Sequence, residues 1–183
     1  VKAVTVYKGN PEKFDLPTTL ATIIVQDNQT GKTLAVMDGG FLTAVRTGAV
    51  SGVATKHLSR ANATVAGILG TGVQAYTQVT GMAAARNLDT ILAFSLDPDD
   101  KRQAFADSLR EETGVEVRLA GSTEELLGDS DIVALATTAP NPIVEASWWK
   151  SGAHINSVGS HAPALRELDT ASIQRSKVIT DQT

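Results

Sequence analysis

The alternation of hydrophobic and polar residues changes its period about one third of the way along the chain. Before that point, runs rich in β-branched residues predict strands at Val1–Tyr7, Leu20–Gln26 and Lys32–Met37. The turn residues Asp27–Gly31 join the last two strands, which predicts a hairpin. Helical spacing of apolar positions then predicts a helix over Phe41–Leu58. The positions that recur on one side of this helix are Leu42, Val45, Ala49 and Val53.

From residue 63 onward, predicted strands and helices alternate. The predicted strands are Thr64–Leu69, Thr90–Ser95, Val115–Leu119, Ile132–Thr137, His154–Val158 and Lys177–Thr180. The predicted helices are Gln74–Arg86, a helix from Pro98 to Glu112 with Asp97 as its N-cap, a short helix opened by the capping box Ser122–Glu125, and Leu168–Arg175. Strands separated by helices imply right-handed crossovers, and so an α/β fold with a doubly wound parallel sheet.

Composition and charge exclude several classes of function. The chain has 183 residues, 42% of them hydrophobic and 20% charged, as in soluble globular proteins. No apolar run is long enough to span a bilayer, and no secretory signal is visible. A net charge of -4 without a dense cluster of basic residues argues against a nucleic-acid partner. The chain has no cysteine, which fits a reducing cytoplasm, and its three histidines are too scattered for a metal site.

The junction between the first of these later strands and its helix carries the most specific motif. Gly70, Gly72 and Ala75 form a Gly-x-Gly-x-x-Ala turn after an apolar run and before a helix. Gly70 permits the tight turn, Gly72 leaves room for a phosphate, and Ala75 lets the helix pack close to its strand. This arrangement sets a dinucleotide pyrophosphate on a helix N-terminus, and therefore predicts a nucleotide-binding site.

In a doubly wound sheet, ligands bind at the carboxyl ends of the strands. The loops after residues 69, 95, 137 and 158 are therefore expected to line one crevice. The polar residues in these loops are Gln74, Ser95, Thr137, Thr138, Ser160 and His161. Any one of them could instead cap a helix.

Several strings of residues occur together along the chain. They are Leu16–Thr18, Leu42–Thr47, the glycine turn with Gln74, Gly152–Ser160 and Arg166–Asp169. Their order and spacing resemble those of the ornithine cyclodeaminase/μ-crystallin family. The resemblance implies a Rossmann domain at residues 49–183 and part of a substrate and dimerisation domain at residues 1–48. Family members are usually homodimers and continue beyond both ends of this chain, so we expect parts of both domains to be missing.

The resemblance also implies roles for individual residues. Lys2 matches the active-site lysine of the family, and Arg46 matches an arginine that contacts the substrate carboxylate and the cofactor. Thr18 matches a cofactor-contacting threonine, and the amides of Val73 and Gln74 would face the pyrophosphate. The residues that would lie near the nicotinamide are Val158, Gly159 and Ser160. Without the resemblance, Lys2 is a solvated strand lysine and Arg46 is a surface helix arginine.

Two departures from the family pattern affect the substrate and the cofactor. Ornithine cyclodeaminases carry an aspartate where this chain has His161, which brings no fixed negative charge to hold a substrate ammonium. An acidic residue that selects NAD is expected at Ser95, and Asp97 follows two residues later. The choice between NAD and NADP therefore stays open.

Together, these features predict an NAD(P)-dependent oxidoreductase that transfers hydride to a small cyclic or linear imino acid, such as 1-pyrroline-2-carboxylate or a ketimine. The predicted catalytic residues are Lys2, Arg46 and His161. One alternative is an ornithine cyclodeaminase that recycles its bound cofactor and releases ammonia. Another is a μ-crystallin-like ligand-binding protein without catalysis.

Overall fold

The computed structural model describes residues 1–7, 9–160 and 165–180. The chain divides into two compact units, Val1–Thr47 and Gly48–Thr183, which we call the amino-terminal unit and the carboxyl-terminal unit. Within the described ranges, no helix combines the length and the apolar character that a membrane span requires.

The amino-terminal unit is built on an antiparallel sheet of three strands, in the order β1-β2-β3. Its elements are β1 (Lys2–Val6), α1 (Asn10–Phe14), β2 (Thr19–Gln26), β3 (Thr33–Asp38) and the start of α2 (Gly40–Leu58). The predicted hairpin is present, and the Asp27 carboxylate accepts hydrogen bonds from the turn amides of Gln29 and Thr30. The short helix α1 was not predicted, although Pro11 in its first turn is a helix-start signal.

The carboxyl-terminal unit contains the predicted parallel sheet, with five strands in the order β6-β5-β4-β7-β8. Its strands are β4 (Val65–Leu69), β5 (Thr90–Phe94), β6 (Glu116–Leu119), β7 (Ile132–Leu135) and β8 (His154–Ser157). Its helices after α2 are α3 (Val73–Ala85), α4 (Asp99–Thr113), α5 (Thr123–Asp129) and α6 (Thr170–Gln174). The order turns back at β4, as in a doubly wound Rossmann-type sheet, so the predicted fold class is confirmed.

Two apolar clusters bury the two faces of this sheet. Successive strand residues point to opposite faces, so Ile68 packs in the cluster under α3 and α4, while Leu69 packs in the cluster with α5. β7 is buried along its whole length, as expected for a strand covered on both faces. The core therefore holds the five strands as a rigid layer. This layer fixes where the loops at its carboxyl edge begin.

One predicted element is absent. The segment Lys177–Thr180 is not a strand: all four residues are exposed, and it pairs with no strand among the described residues. An apolar run becomes a strand only where another strand is free to pair with it. The connection from β7 to β8 runs through residues 136–153, where no helix was predicted and none is present.

The buried side of α2 also differs from the prediction. Leu42, Val45 and Val53 are exposed, whereas Ser51 and Thr55 are buried. The reason is a close approach to α3 within the carboxyl-terminal unit, where a Cβ on Gly52 would lie 2.8 Å from the Gly81 carbonyl oxygen. Small residues face the partner helix there, so the larger apolar residues point away from it.

Candidate functional site

The predicted site residues of the carboxyl-terminal unit lie at one edge of its sheet. They follow β5, β4, β7 and β8, which are adjacent in that order, and the carboxyl ends of parallel strands share an edge. These residues are Gly70, Gly72, Val73, Gln74, Ser95, Asp97, Thr137, Thr138, Val158, Gly159 and Ser160. The arrangement has the position that the sequence predicted for a nucleotide crevice.

The glycine turn after β4 requires glycine at its first position. Gly70 has a φ of 112°, which L side chains rarely adopt, and a Cβ there would lie 2.6 Å from the carbonyl oxygen of Ala136. Its N–H donates to the Phe94 carbonyl oxygen at 2.9 Å, which ties the turn to the end of β5. The turn is therefore wedged between β5 and the segment that follows β7.

The N-terminus of α3 is open to an anion. No side chain caps it within the described residues, and its first turn contains no acidic residue. The other helices of this sheet are different: α4 starts with Asp99 and Asp100, while Ser122 and Asp169 cap α5 and α6. A Cβ on Gly72 would meet nothing within 4 Å. Free amides, a positive helix end and open space are what a diphosphate needs, so the residues present fit a dinucleotide.

Asp97 faces the glycine turn, and the prediction that it caps α4 was wrong. The N-cap of α4 is Pro98, because the chain turns at Asp97 before the helix begins. The Asp97 carboxylate instead accepts hydrogen bonds from the hydroxyl of Thr71 and, at 3.0 Å, from that of Ser95. The bond from Thr71 is the main reason that the pKa of Asp97 lies below its ordinary value. A negative charge therefore stands beside the glycine turn.

The surface next to Asp97 has the form of a shallow depression. Its volume is about 510 Å³, and Lys101 on α4 contributes to its lining together with Thr71 and Gly72. The neighbouring Arg102 is turned away from it, since its guanidinium donates to the Ala120 carbonyl oxygen at 3.1 Å and lies over the Phe94 ring. A second depression of about 440 Å³ is lined by Thr64, which precedes β4, and so lies at the opposite edge of the sheet.

The ends of β7 and β8 are joined by a residue that the sequence analysis did not single out. Glu167 is fully buried, and its carboxylate accepts hydrogen bonds from Thr137, Ser157 and Gly159. Glu167 lies in one of the strings that carry the family resemblance, yet an acidic residue in a polar stretch gives no sign of burial. This close contact explains why residue 159 is a glycine, because a Cβ there would collide with Glu167 and with the Thr137 carbonyl oxygen.

The predicted site residues of the amino-terminal unit are accessible. Lys2 lies on β1 and Arg46 on α2, and both are exposed. In the part of the chain that the structure describes, neither forms an ion pair. Thr18 is half-buried and accepts a hydrogen bond from the Tyr7 amide through its carbonyl oxygen, at 2.8 Å. The third predicted catalytic residue, His161, lies outside the described residues.

Comparisons with known proteins agree with this architecture. The chain is 36% identical over 182 residues to a Delta(1)-pyrroline-2-carboxylate reductase of Bacillus cereus, covering 99% of this chain and 55% of that protein. Among solved structures, it is similar to Thermococcus litoralis Delta(1)-pyrroline-2-carboxylate reductase in complex with NADH and L-proline, with a TM-score of 0.92 and 43% identity over 96% of this chain and 54% of the other. It is also similar to an archaeal alanine dehydrogenase dimer with bound NAD, with a TM-score of 0.88 and 34% identity over 96% of this chain and 53% of the other.

The chain spans about half the length of the curated relatives that it matches. The model of the ornithine cyclodeaminase/mu-crystallin family matches all of residues 1–183. The chain therefore belongs to the ornithine cyclodeaminase/mu-crystallin family.

Proposed function

We propose that the full-length protein is an NAD(P)-dependent reductase that transfers hydride to a small cyclic or linear imino acid of the 1-pyrroline-2-carboxylate or ketimine type. The observation that carries the proposal is the uncapped N-terminus of α3 behind the Gly70 turn. The similarity to reductases of pyrroline-2-carboxylate supports the same reaction.

The cofactor is held by the carboxyl edge of the parallel sheet in this proposal. The amides of Val73 and Gln74 bind the pyrophosphate, while Thr137, Thr138 and the segment 158–160 hold the nicotinamide end. When bound, the nicotinamide supplies the hydride that reduces the imine carbon. The protein contributes orientation, which by itself is worth on the order of 7 kcal/mol in the barrier.

The substrate is held by side chains of the amino-terminal unit. Arg46 binds the substrate carboxylate, since a planar guanidinium grips both carboxylate oxygens. Lys2, in its ammonium form, donates a proton to the imine nitrogen as the carbon is reduced. His161 relays a proton, for which the imidazole of histidine is suited near neutral pH.

We infer that NAD is the preferred cofactor. The Asp97 carboxylate can accept a hydrogen bond from the ribose 2′-hydroxyl of NAD, but it repels the 2′-phosphate of NADP. Lys101 is close enough to lower the pKa of Asp97 and partly offsets that repulsion. Arg102 does not help to offset this repulsion, because its guanidinium is hydrogen-bonded to the Ala120 carbonyl oxygen and the Asp99 carboxylate.

A spectrophotometric screen of the full-length protein tests the proposed function. Nicotinamide absorbance is followed with NADH or NADPH and, in turn, pyrroline-2-carboxylate, piperideine-2-carboxylate and pyruvate with ammonia. Ornithine is tested separately with the oxidised cofactors, and the release of ammonia is measured alongside the absorbance. Oxidation of NADH with one of these substrates is expected. Ammonia release from ornithine without net cofactor reduction would instead identify a cyclodeaminase. Saturable cofactor binding without turnover on any substrate would identify a ligand-binding protein.

The assembly and the cell compartment belong to the same proposal. The full-length protein is a homodimer, as the archaeal alanine dehydrogenase structure is a dimer. We place it in the cytoplasm, because a chain without cysteine has no disulfide that would require an oxidising compartment. Native mass spectrometry of the full-length protein measures its oligomeric state, and the mass of a single subunit would contradict the homodimer.

A further inference from the structure

Glu167 joins the ends of two neighbouring strands through one buried carboxylate. Its Oε1 accepts hydrogen bonds from the amide and the hydroxyl of Thr137, both at 2.8 Å. Its Oε2 accepts from the Gly159 amide at 2.8 Å and from the Ser157 hydroxyl at 3.1 Å. Thr137 follows β7, while Ser157 and Gly159 end and follow β8. One side chain thus sets the spacing of two loops.

The burial of this carboxylate is not explained by an ion pair. Within residues 1–7, 9–160 and 165–180, no lysine, arginine or histidine forms a salt bridge with Glu167. The adjacent Arg166 donates to the Leu168 carbonyl oxygen and the Thr170 hydroxyl instead. A buried carboxylate without a cation is costly, and four hydrogen bonds are the compensation that this site provides.

The same contacts use up the polar groups of Thr137 and Gly159. The Thr137 hydroxyl donates to Glu167 and accepts from the Ala139 amide at 3.2 Å, so it has no proton left to donate to a ligand. The Gly159 amide is likewise committed to Glu167. These two residues can therefore form a wall of a binding site but cannot act as its hydrogen-bond donors.

We propose that Glu167 is a positioning residue for hydride transfer. It fixes the loops after β7 and β8, and those loops form the wall against which the nicotinamide ring is held. The inference rests on the proposed function, because only a nicotinamide bound at these loops makes their spacing matter for catalysis. The diphosphate binds at the Gly70–Gln74 turn and the adenosine ribose binds beside Asp97, and neither contact depends on Glu167.

Glu167→Gln tests the proposal, since it keeps the shape but turns an amide NH₂ toward groups that are already donors. The control is Glu111→Gln, an exposed glutamate on α4. Both are made in the full-length protein, and kcat, KM and the dissociation constants of NADH and ADP-ribose are measured well below the melting temperature. ADP-ribose lacks the nicotinamide, so its affinity reports the contacts of the adenosine, diphosphate and ribose groups without those of the nicotinamide ring. We expect Glu167→Gln to lower kcat about tenfold or more, with ADP-ribose affinity within about twofold of wild type.

The outcomes separate positioning from a merely structural role. A folded Glu167→Gln protein that has a lower melting temperature but wild-type kcat overturns the proposal, as does an equal loss of ADP-ribose and NADH affinity. If Glu167→Gln does not fold, Ser157→Ala is the second test, because it removes one of the four donors to the Glu167 carboxylate. An unchanged kcat in Ser157→Ala overturns the proposal. A wild-type protein that binds neither ADP-ribose nor NADH refutes the proposed function instead.

Discussion

At the residue scale, the proposed preference for NAD depends most directly on Asp97. Its carboxylate is held by Thr71 and Ser95 beside the glycine turn, and its pKa is lowered, so it is ionised at neutral pH. We predict that Asp97→Asn raises NADPH affinity relative to NADH by about tenfold, equivalent to about 1.4 kcal/mol. Fluorescence titration with both nucleotides measures this ratio.

Asp100→Asn is the matched control, because Asp100 is an exposed carboxylate in the first turn of the same helix. It is expected to leave the ratio unchanged. A wild-type protein that already prefers NADPH, or an Asp97→Asn protein with an unaltered ratio, contradicts the assignment.

Substitution of Lys2 or Arg46 is predicted to impair the reaction of the substrate while leaving cofactor binding largely intact. Lys2→Ala should lower kcat by about a hundredfold or more, the usual contribution of a positioned proton donor. Arg46→Ala should mainly raise KM, because a charge-assisted hydrogen bond to the carboxylate contributes about 1.5–3 kcal/mol. Steady-state kinetics on pyrroline-2-carboxylate measure both. Lys32→Ala, which removes an exposed lysine of the turn before β3, is the control. Full activity in both variants shows the site assignment to be wrong.

What the sequence predicts at this scale depends on how local the cause is. Gly70 and Gly72 were predictable, because a turn between a strand and a helix imposes its demands on adjacent residues. Asp97 was assigned as a cap, although it bonds to Thr71, which lies 26 positions away. Glu167 could not be found, because its partners come from two strands that meet only in the fold.

At the scale of elements, Asp131 ties the starts of two central strands together. It precedes β7, and its carboxylate accepts hydrogen bonds from the amides of Thr64 and Val65, where β4 begins, at 3.1 and 3.2 Å. It also pairs with Arg60 at 2.9 Å and with Lys150 at 2.8 Å. Burial alone would raise the pKa of Asp131, but these partners outweigh it and the pKa is lowered.

We predict that Asp131→Asn destabilises the protein by about 2–3 kcal/mol at pH 7, since it leaves charged donors with a weaker acceptor. A carboxyl whose pKa falls on folding stabilises the protein at every pH above its ordinary pKa of 3.8. This contribution is lost as the pH falls through the lower pKa of the folded protein. The melting-temperature difference between wild type and variant should therefore be constant near neutral pH and shrink below pH 4. Thermal melts across this range measure it.

Asp89→Asn is the control for this prediction, because Asp89 precedes β5 as Asp131 precedes β7, but it is exposed. Its effect on the melting temperature should be small at every pH. A difference for Asp131→Asn that persists unchanged at low pH contradicts the linkage.

The elements themselves were largely predictable, because strands buried in a covered sheet need continuous apolar runs that are visible in the sequence. The errors lie where tertiary partners decide. Lys177–Thr180 has the composition of a strand but pairs with no strand among the described residues, and α2 buries Gly48 and Gly52 because α3 approaches closely. Neither fact is written in the local pattern.

At the scale of the whole molecule, the sheet separates the edge that we propose for cofactor binding from a structural edge. The Gly70 turn, Asp97, Thr137 and Glu167 follow the carboxyl ends of the strands, whereas Asp131 and its partners gather at their amino ends. The roles of Lys2, Arg46 and Thr18 came from the family resemblance alone, since neither spacing nor exposure distinguishes them from surface residues.

Amide hydrogen exchange with and without NADH tests this separation on the full-length protein. Bound diphosphate should slow exchange at the amides of Val73 and Gln74. Exchange should also slow in peptides that cover residues 95–97 and 157–160. Peptides covering 60–65 and 129–131 should show little change, because they lie at the other edge. Saturation with about 100 times the dissociation constant also adds about 2.7 kcal/mol of stability, which raises global protection equally at all slow amides. The local prediction therefore concerns the glycine turn, whose amides exchange fast in the free protein. Stronger protection at residues 60–65 than at residues 70–76 would contradict the prediction, because it would place the nucleotide at the amino ends of the strands.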